Sequence, residues 1–210
     1  TNQNTGADGL YNFTNLYYGT YRVTVTSPPV GAVNYADPDT ASPGDSTSQV
    51  TIGNGGNPAV NLDQDFGYRV LGSIGDRIWH DINGDGIQDA GEDGIPGVDV
   101  TVLWAGPDGN LATPGDNVTY TTTTGVNGAY SVGGLSAGSY RVTVDSADLP
   151  DGLTTQTYDL DGLGTAHQAT TSLTSGQNRT DVDFGYRGSG QIGDFVWRDL
   201  DGDGVQDGGA

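Results

Sequence analysis

The chain has 210 residues, of which 36 are glycine, and only 33% of the chain is hydrophobic. Its 27 acidic and 7 basic residues give a net charge of −20, which excludes nucleic acid as a partner because phosphate backbones attract positive charge. No run of about 18 apolar residues is present, so no segment is predicted to span a membrane. The composition favours small β-domains rich in turns over one large core.

The amino-acid content excludes two kinds of covalent cross-link. The chain contains no cysteine and no lysine, so neither a disulfide nor a lysine–asparagine isopeptide bond can form. Small secreted domains usually need such a staple, and a bound metal ion is the obvious substitute.

An internal repeat organises the sequence. Three motifs each occur twice, about 118 residues apart, and this spacing gives the length of the repeat. The repeated pairs are 72–89 with 190–207, 65–69 with 183–187, and 19–25 with 138–144.

The repeat divides the chain into three parts: the C-terminal part of one repeat (1–70), one complete repeat (71–188) and the N-terminal part of a third (189–210). The two partial repeats do not add up to a complete module, because the equivalent of 93–119 is missing. A self-completing protomer is therefore not expected. We interpret the chain as a window cut from a longer tandem array.

Apolar residues at every second position predict β-strands in the complete repeat. Valines alternate with polar residues along 98–104, and tyrosine and valine do so along 140–144. Glycine and asparagine clusters separate these segments as turns, and no helix is predicted. The sequence therefore predicts an all-β fold of tandem Greek-key, immunoglobulin-like β-sandwich repeats. In chain order the strands are predicted near 74–80, 98–104, 118–124, 129–133, 140–144, 167–173 and 180–187.

The join between repeats is short. Only Gly188-Ser-Gly190 and its immediate neighbours connect the last strand of the complete repeat to the next first strand. Such a connection permits little independent tumbling, although its glycines are locally flexible. Rigidity at a join would therefore come from contact between the repeats or from a shared ion.

A twelve-residue calcium-binding pattern follows the first predicted strand of the complete repeat. Side-chain oxygens stand at positions 1, 3, 5 and 9, a glycine at position 6 permits a sharp turn, and a backbone carbonyl is available at position 7. The only glutamate of the chain stands at position 12, where its longer side chain can reach back to bind in bidentate fashion. The predicted ligands are Asp81, Asn83, Asp85, Ile87, Asp89 and Glu92.

An acidic, solubilising turn is the alternative interpretation of this pattern. The flanking segments are strand-like, so a helix–loop–helix sensor is not predicted. A second copy of the loop lacks the glutamate, since Ala210 stands at position 12. Either the ligand at position 12 of the second loop is supplied in a shifted register, or this site binds calcium more weakly. The sequence leaves both possibilities open. The corresponding residues are Asp199, Asp201, Asp203, Val205 and Asp207.

A second cation site is a further candidate. Asp159 and Asp161 form a spaced acidic pair that is matched by Asp37 and Asp39 in the first partial repeat. Two more aspartates of this candidate set, Asp76 and Asp181, recur near the repeat joins together with Asp183. Paired carboxylates suit calcium, but they also suit a solvated surface.

The motifs of this chain resemble the B-type repeats of bacterial serine-aspartate-repeat surface proteins. The resemblance covers the complete repeat and both partial ones. It rests on Ile-Gly-Asp-x-x-Trp with the calcium loop that follows, on Gly94-Ile-Pro-Gly-Val98, on Gly128-x-Tyr130, on Gly138-x-Tyr-x-Val and on Asp-Phe-Gly-Tyr. The total absence of lysine and the single glutamate depart from the pattern of the family.

The resemblance implies a prealbumin-like β-sandwich whose tandem calcium-binding modules stiffen a stalk on cell-surface or secreted proteins. It also implies that the loop ligands are those named above. Neighbouring repeats, and other copies of the chain in a fibre, are then the expected partners.

The sequence offers two classes of function, and neither is enzymatic. There is no cysteine nucleophile and no Gly-x-Ser-x-Gly motif, and ion loops and turns explain the aspartates better than acid–base chemistry does. The first class is a calcium-rigidified extracellular spacer. The second is an adhesin module that binds host protein or glycan, for which Tyr11, Tyr17 and Tyr18 are the best evidence. Sequons at Asn12, Asn117 and Asn178 are candidate glycosylation sites.

Overall fold

The computed structural model describes residues 1–39, 44–53, 59–190, 192–193 and 196–205. Within these ranges the protein is all-β, with one 3-10 turn at Ser146–Asp148 and no α-helix. None of the described residues forms a helix long and apolar enough to cross a membrane. The strands are β1 (Gly19–Thr24), β2 (Ala32–Ala36), β3 (Thr47–Ile52), β4 (Gly67–Val70), β5 (Gly72–His80), β6 (Asp99–Trp104), β7 (Val118–Thr123), β8 (Ala129–Leu135), β9 (Gly138–Val144), β10 (Thr155–Tyr158), β11 (Gln168–Leu173), β12 (Asn178–Arg179) and β13 (Phe184–Arg187).

The complete repeat is a sandwich of two sheets. One sheet has the order β10-β13-β5-β12, with β8 also paired to β5, and the other has the order β11-β9-β6-β7. The predicted alternation is confirmed, because Val100, Val102 and Val142 are fully buried between the sheets. Burying each such side chain contributes roughly 1.5–3 kcal/mol. The core residues are Ile74, Ile78, Ile95, Val98, Val100, Val102, Tyr130, Val132, Leu135, Tyr140, Val142, Val144, Ala169, Leu173, Val182, Phe184 and Tyr186.

Strand β5 pairs along its first half with β8 and β12 and along its second half with β13. The pairings with β12 and β13 are parallel, which an all-antiparallel Greek key does not contain. This arrangement brings the end of β5 beside β13, where Asp81 N–H donates to the carbonyl of Tyr186 at 2.8 Å. The predicted calcium loop therefore begins at the edge of the core.

Two short strands were not predicted, and one predicted strand is shorter than expected. Strand β10 has the polar sequence Thr-Gln-Thr-Tyr, and β12 has only two residues, so neither carries an alternating apolar signal. The predicted segment 180–187 is a strand only over Phe184–Arg187.

The first partial repeat shows the same strand pairing as its sequence counterpart. β1 pairs with β3, and β2 pairs with β4, as β9 pairs with β11 and β10 with β13. The register shift between Asn34 and Ala36 in β2 matches the shift between Gln156 and Tyr158 in β10. Identical irregularities in two copies indicate that the local sequence determines them.

The described residues of the 189–210 segment form no strand. Ile192 and Val196 are exposed, whereas their counterparts in β5, Ile74 and Ile78, are fully buried.

Candidate metal centre

The loop 81–92 is built around one buried carboxylate. Asp81 is fully buried at the end of β5, and its two oxygens accept hydrogen bonds from Gly84 N–H at 2.6 Å and Gly86 N–H at 2.8 Å. Both glycines have a left-handed backbone, with φ of 78° and 76°, which lets the chain wrap around the carboxylate. His80 N–H donates to the Asp93 carbonyl at 2.9 Å and closes the base of the loop.

The other predicted side-chain ligands converge on the same loop. The amide nitrogen of Asn83 lies 3.1 Å from a carboxylate oxygen of Asp85 and 3.1 Å from one of Asp89. Glu92 is buried and reaches back across the loop, where its oxygens accept from Ile82 N–H at 2.8 Å and Asp89 N–H at 3.0 Å. These bonds leave further lone pairs on each carboxylate for a cation.

The Asp81 carboxylate stays ionised inside this loop. Burial raises its pKa, but the hydrogen bonds from Gly84 N–H and Gly86 N–H, with the Thr157 hydroxyl nearby, outweigh burial and hold the pKa below its usual value. Within the part of the chain that the structure describes, the one salt bridge joins Arg179 and Asp181, so Asp81 makes none, although the Arg187 guanidinium lies against the backbone of Gly84. A buried carboxylate that makes no salt bridge fits a site for a metal ion.

Thr157 was missed from the sequence. It lies on the unpredicted β10, remote along the chain from Asp81, and no local pattern marks it. Its backbone carbonyl also lies 3.2 Å from where a side chain at Gly86 would begin, so β10 packs directly against the loop.

The second loop has the same conformation as the first. Asp199 accepts from Gly202 N–H at 2.7 Å and from Gly204 N–H at 2.9 Å, and Asp203 accepts from Val205 N–H at 2.8 Å. The carboxylate oxygens of Asp199, Asp201 and Asp203 lie within 4.8 Å of one another. In the 81–92 loop no three of the carboxylates Asp81, Asp85, Asp89 and Glu92 come this close together, and an amide, Asn83, stands at the position of Asp201. The predicted ligand Asp207 lies outside the described residues.

The four aspartates of the candidate second site separate into two pairs. Asp159 and Asp161 interact with each other in the segment between β10 and β11. The negative charges of Asp76 and Asp181 instead raise the pKa of Asp183. Asp181 also forms a salt bridge with Arg179, with 2.7 Å between Nε and Oδ1.

Asp159 is the more suggestive member of the first pair. It is buried, its Oδ2 accepts from the Gln156 amide at 2.8 Å, and its Oδ1 has no partner within the protein. Burial raises the pKa of Asp159, and the charge of Asp161 raises it further. An oxygen left unpaired in this way fits a small cation or water.

Asp161 already has a structural role. Its Oδ2 accepts from Thr170 N–H at 2.9 Å on β11, the edge strand of its sheet, and Asp39 accepts from Gln49 N–H at 3.0 Å on β3. The same contact in both repeats shields an edge N–H group from pairing with another strand.

Asp183, which lies beside Asp76 and Asp181, has a strongly raised pKa. Burial raises its pKa to about 6, the Arg77 N–H bond opposes the rise, and the charges of Asp76 and Asp181 add to it. Since this pKa lies above the value of about 3.9 in an unfolded chain, the ionised side chain destabilises the fold above about pH 6. The destabilisation disappears as the pH falls through 6 towards 4.

We therefore expect Asp183→Asn to stabilise the protein at pH 8 by about 1 kcal/mol, because solvent near the exposed Asp76 and Asp181 weakens the full effect of the shift. Denaturant unfolding without calcium at pH 8 and pH 4 measures it, with the exposed Asp151→Asn as control. An equal gain at pH 4, or none at pH 8, contradicts the assignment.

The three sequons occupy different environments. Asn12 and Asn178 are exposed. Asn117 is half-buried, its amide nitrogen donates to the Leu111 carbonyl at 3.3 Å, and its side-chain oxygen is buried. A glycan on Asn117 would have to break that contact.

Comparison with known proteins places this geometry in a family. Residues 72–186 match the family model described as SdrD B-like domain. The chain is 33% identical to serine-aspartate repeat-containing protein F of Staphylococcus epidermidis (strain ATCC 12228 / FDA PCI 1200) over 97% of its length and 12% of that protein. It is also 33% identical to serine-aspartate repeat-containing protein D of Staphylococcus aureus (strain MW2) over 97% of its length and 15% of that protein.

The chain thus spans 12% to 15% of these curated relatives. Among solved structures, the crystal structure of GBS52, the minor pilin in gram-positive pathogen Streptococcus agalactiae, aligns with a TM-score of 0.37 and 10% identity over 86% of this chain and 87% of that one. The family model covers more than half of the sequence, and two relatives exceed 30% identity. The chain therefore belongs to the SdrD B-like domain family.

Proposed function

We propose that this chain is a calcium-rigidified structural segment of a long extracellular bacterial surface protein or fibre, where it acts as a spacer. The observation that carries the proposal is the 81–92 loop, whose buried, ionised Asp81 makes no salt bridge within the described residues. Family membership supports a segment of a repeat-containing surface protein. The same relatives give no support to an enzymatic role.

Calcium suits the loop because it prefers many hard oxygen ligands in a flexible arrangement. Asp81, with the other predicted ligands of the loop, would hold the ion. Bound calcium would neutralise carboxylates that otherwise repel each other and would tie β5 to the chain that follows it. The loop ligands are Asp81, Asn83, Asp85, Ile87, Asp89 and Glu92, and the second loop would use Asp199, Asp201, Asp203, Val205 and Asp207.

Extracellular calcium modules bind with a Kd on the order of 10⁻⁴–10⁻³ M. Such an affinity suits surroundings in which calcium is plentiful. Asp159 with Asp161, and Asp76 with Asp181, are candidates for further, weaker sites. The unpaired Oδ1 of Asp159 favours the first pair.

Single-molecule pulling of the full chain tests the proposal. In calcium the complete repeat should unfold at a higher force than in chelator, because the ion adds bonds at the end of a central strand. Glu92→Ala should remove the difference, and Asp151→Ala, an exposed acid with no role in the loop, should preserve it. Equal forces in calcium and chelator would refute calcium rigidification.

An adhesin module is the alternative function. Tyr17 and Tyr18 are 88% and 71% exposed next to each other on the first partial repeat. Exposed adjacent aromatic side chains are typical of binding surfaces. Binding of the chain to a glycan or host-protein array that Tyr17→Ala and Tyr18→Ala abolish would favour this function over the spacer.

A further inference from the structure

The join between the first partial repeat and the complete repeat contains a single residue between strands. Strand β4 ends at Val70 and β5 begins at Gly72. The turn that follows β11 closes over this point: Gly176 N–H donates to the Val70 carbonyl at 3.1 Å, and Ser175 Oγ lies 3.4 Å from the same oxygen. A side chain at Gly176 would begin 2.8 Å from Val70 Cγ1, so only glycine allows this close contact.

The turn is itself held rigid. The side-chain oxygen of Gln177 accepts from Thr174 N–H at 2.9 Å, and Gln177 N–H donates to the Thr174 carbonyl at 3.1 Å. The Gln177 carbonyl then accepts from Ser73 N–H at 3.1 Å. The turn therefore contacts both sides of the join.

Arg69 makes a second bridge across the join. Its guanidinium lies 4.2 Å from the ring centroid of Tyr35 in the first partial repeat, and its Nη1 donates to Ser136 Oγ at 2.8 Å in the complete repeat. Tyr140, a core residue, donates its hydroxyl to the Ser136 carbonyl at 2.5 Å and fixes that residue. A planar arginine can stack on an aromatic ring and donate a hydrogen bond at the same time.

The next join lacks these side chains. Arg187 corresponds to Arg69, but Gly188 stands in place of Val70 and Thr157 in place of Tyr35. Ser189, which follows Gly188, contacts the complete repeat, because its N–H donates to the Gly152 carbonyl at 3.0 Å. The two joins therefore differ in the side chains that precede them.

We propose that Arg69 and Val70 dock onto Ser136 and the Thr174–Gln177 turn as a contact between repeats, which fixes the angle of this join without an ion. The partner that fits Ser136 and the Thr174–Gln177 turn is the end of a preceding repeat. The last strand of that repeat carries arginine followed by a branched apolar residue, and an aromatic ring stacks against the arginine. A join with glycine at this position, as at Gly188, lacks the side chain that Val70 contributes to this contact. None of the contact residues lies in the 81–92 loop, so the proposal goes beyond calcium binding.

Pulsed electron paramagnetic resonance on the full chain tests this contact. The chain has no cysteine, so Ala36→Cys on β2, the strand paired with β4, and Thr119→Cys on β7 place one spin label in each repeat. We expect one narrow distance distribution, in calcium and in chelator alike. Arg69→Ala combined with Val70→Gly, which recreates the glycine of the next join, should cause loss of the narrow peak in both conditions.

Two further variants separate the contact from general effects. Arg22→Ala removes one positive charge from an exposed position of β1 and should leave the narrow peak unchanged. Arg69→Lys keeps the charge but loses the planar stacking, and it should broaden the peak. The thermal midpoint of the complete repeat should stay unchanged in every variant, since Arg69 and Val70 lie outside its core.

A broad distribution in the wild type, a distribution that is narrow only in calcium, or a double variant that stays narrow would each overturn the proposal. The second of these results would still support calcium rigidification. Conversely, a narrow distance distribution in chelator would support the contact between repeats even if the pulling experiment finds no effect of calcium.

Discussion

Asp81→Ala should abolish calcium binding to the 81–92 loop and destabilise the complete repeat in calcium by about 3 kcal/mol. The estimate assumes calcium at about 100 times the Kd, where binding to the folded state alone contributes about 2.7 kcal/mol. In chelator the substitution should cost less, because the loss of the Gly84 and Gly86 hydrogen bonds is offset by the removal of a buried charge.

Asp199→Ala is the matched control for this experiment. It removes the same carboxylate from the second loop, where Asp199 is exposed and makes the same two backbone contacts. Calcium titration calorimetry combined with denaturant unfolding measures both variants. Calcium binding that survives Asp81→Ala and disappears with Asp199→Ala would move the principal site to the second loop.

Phe184→Ala should destabilise the complete repeat by about 3–5 kcal/mol, with or without calcium. Phe184 is fully buried on β13, where it is paired in register with Ile78 of β5, and its removal leaves a cavity between the sheets. Denaturant unfolding in chelator measures the loss directly.

Phe66 is the sequence counterpart of Phe184 in the first partial repeat and is only partly buried. Phe66→Ala should therefore cost clearly less. Equal losses of stability for the two substitutions would contradict this difference in burial. Phe184 would then not lie in a packed core that the first partial repeat lacks.

The conformation of the 81–92 loop depends on short-range contacts, which a local sequence pattern can indicate. Asp81 with Gly84 and Gly86, and Asp199 with Gly202 and Gly204, make the same hydrogen bonds, although the first loop packs on a sandwich and the second is exposed. Aspartate and glycine at these spacings therefore fold the loop by themselves. The alternating strands β6 and β9 were predictable for the same reason, since period two is a local signal.

The remaining features depend on contacts between distant parts of the chain. Parallel pairing of β5 with β13 joins the two ends of the repeat, and no local pattern specifies it. The polar strand β10 is positioned by pairing with β13, and this pairing places Thr157 near Asp81. The unpaired oxygen of Asp159 likewise arises from burial that the sequence does not show.

Thermal unfolding of the full chain in excess calcium and in chelator, beside Glu92→Ala, tests the central claim most directly. Tryptophan fluorescence follows the complete repeat, because Trp79 is buried there whereas Trp197 is exposed. Calcium should raise the midpoint by a large amount, and Glu92→Ala should abolish this rise. A midpoint that calcium leaves unchanged would contradict calcium as the staple of this fold, and the acidic loop would then serve solubility alone.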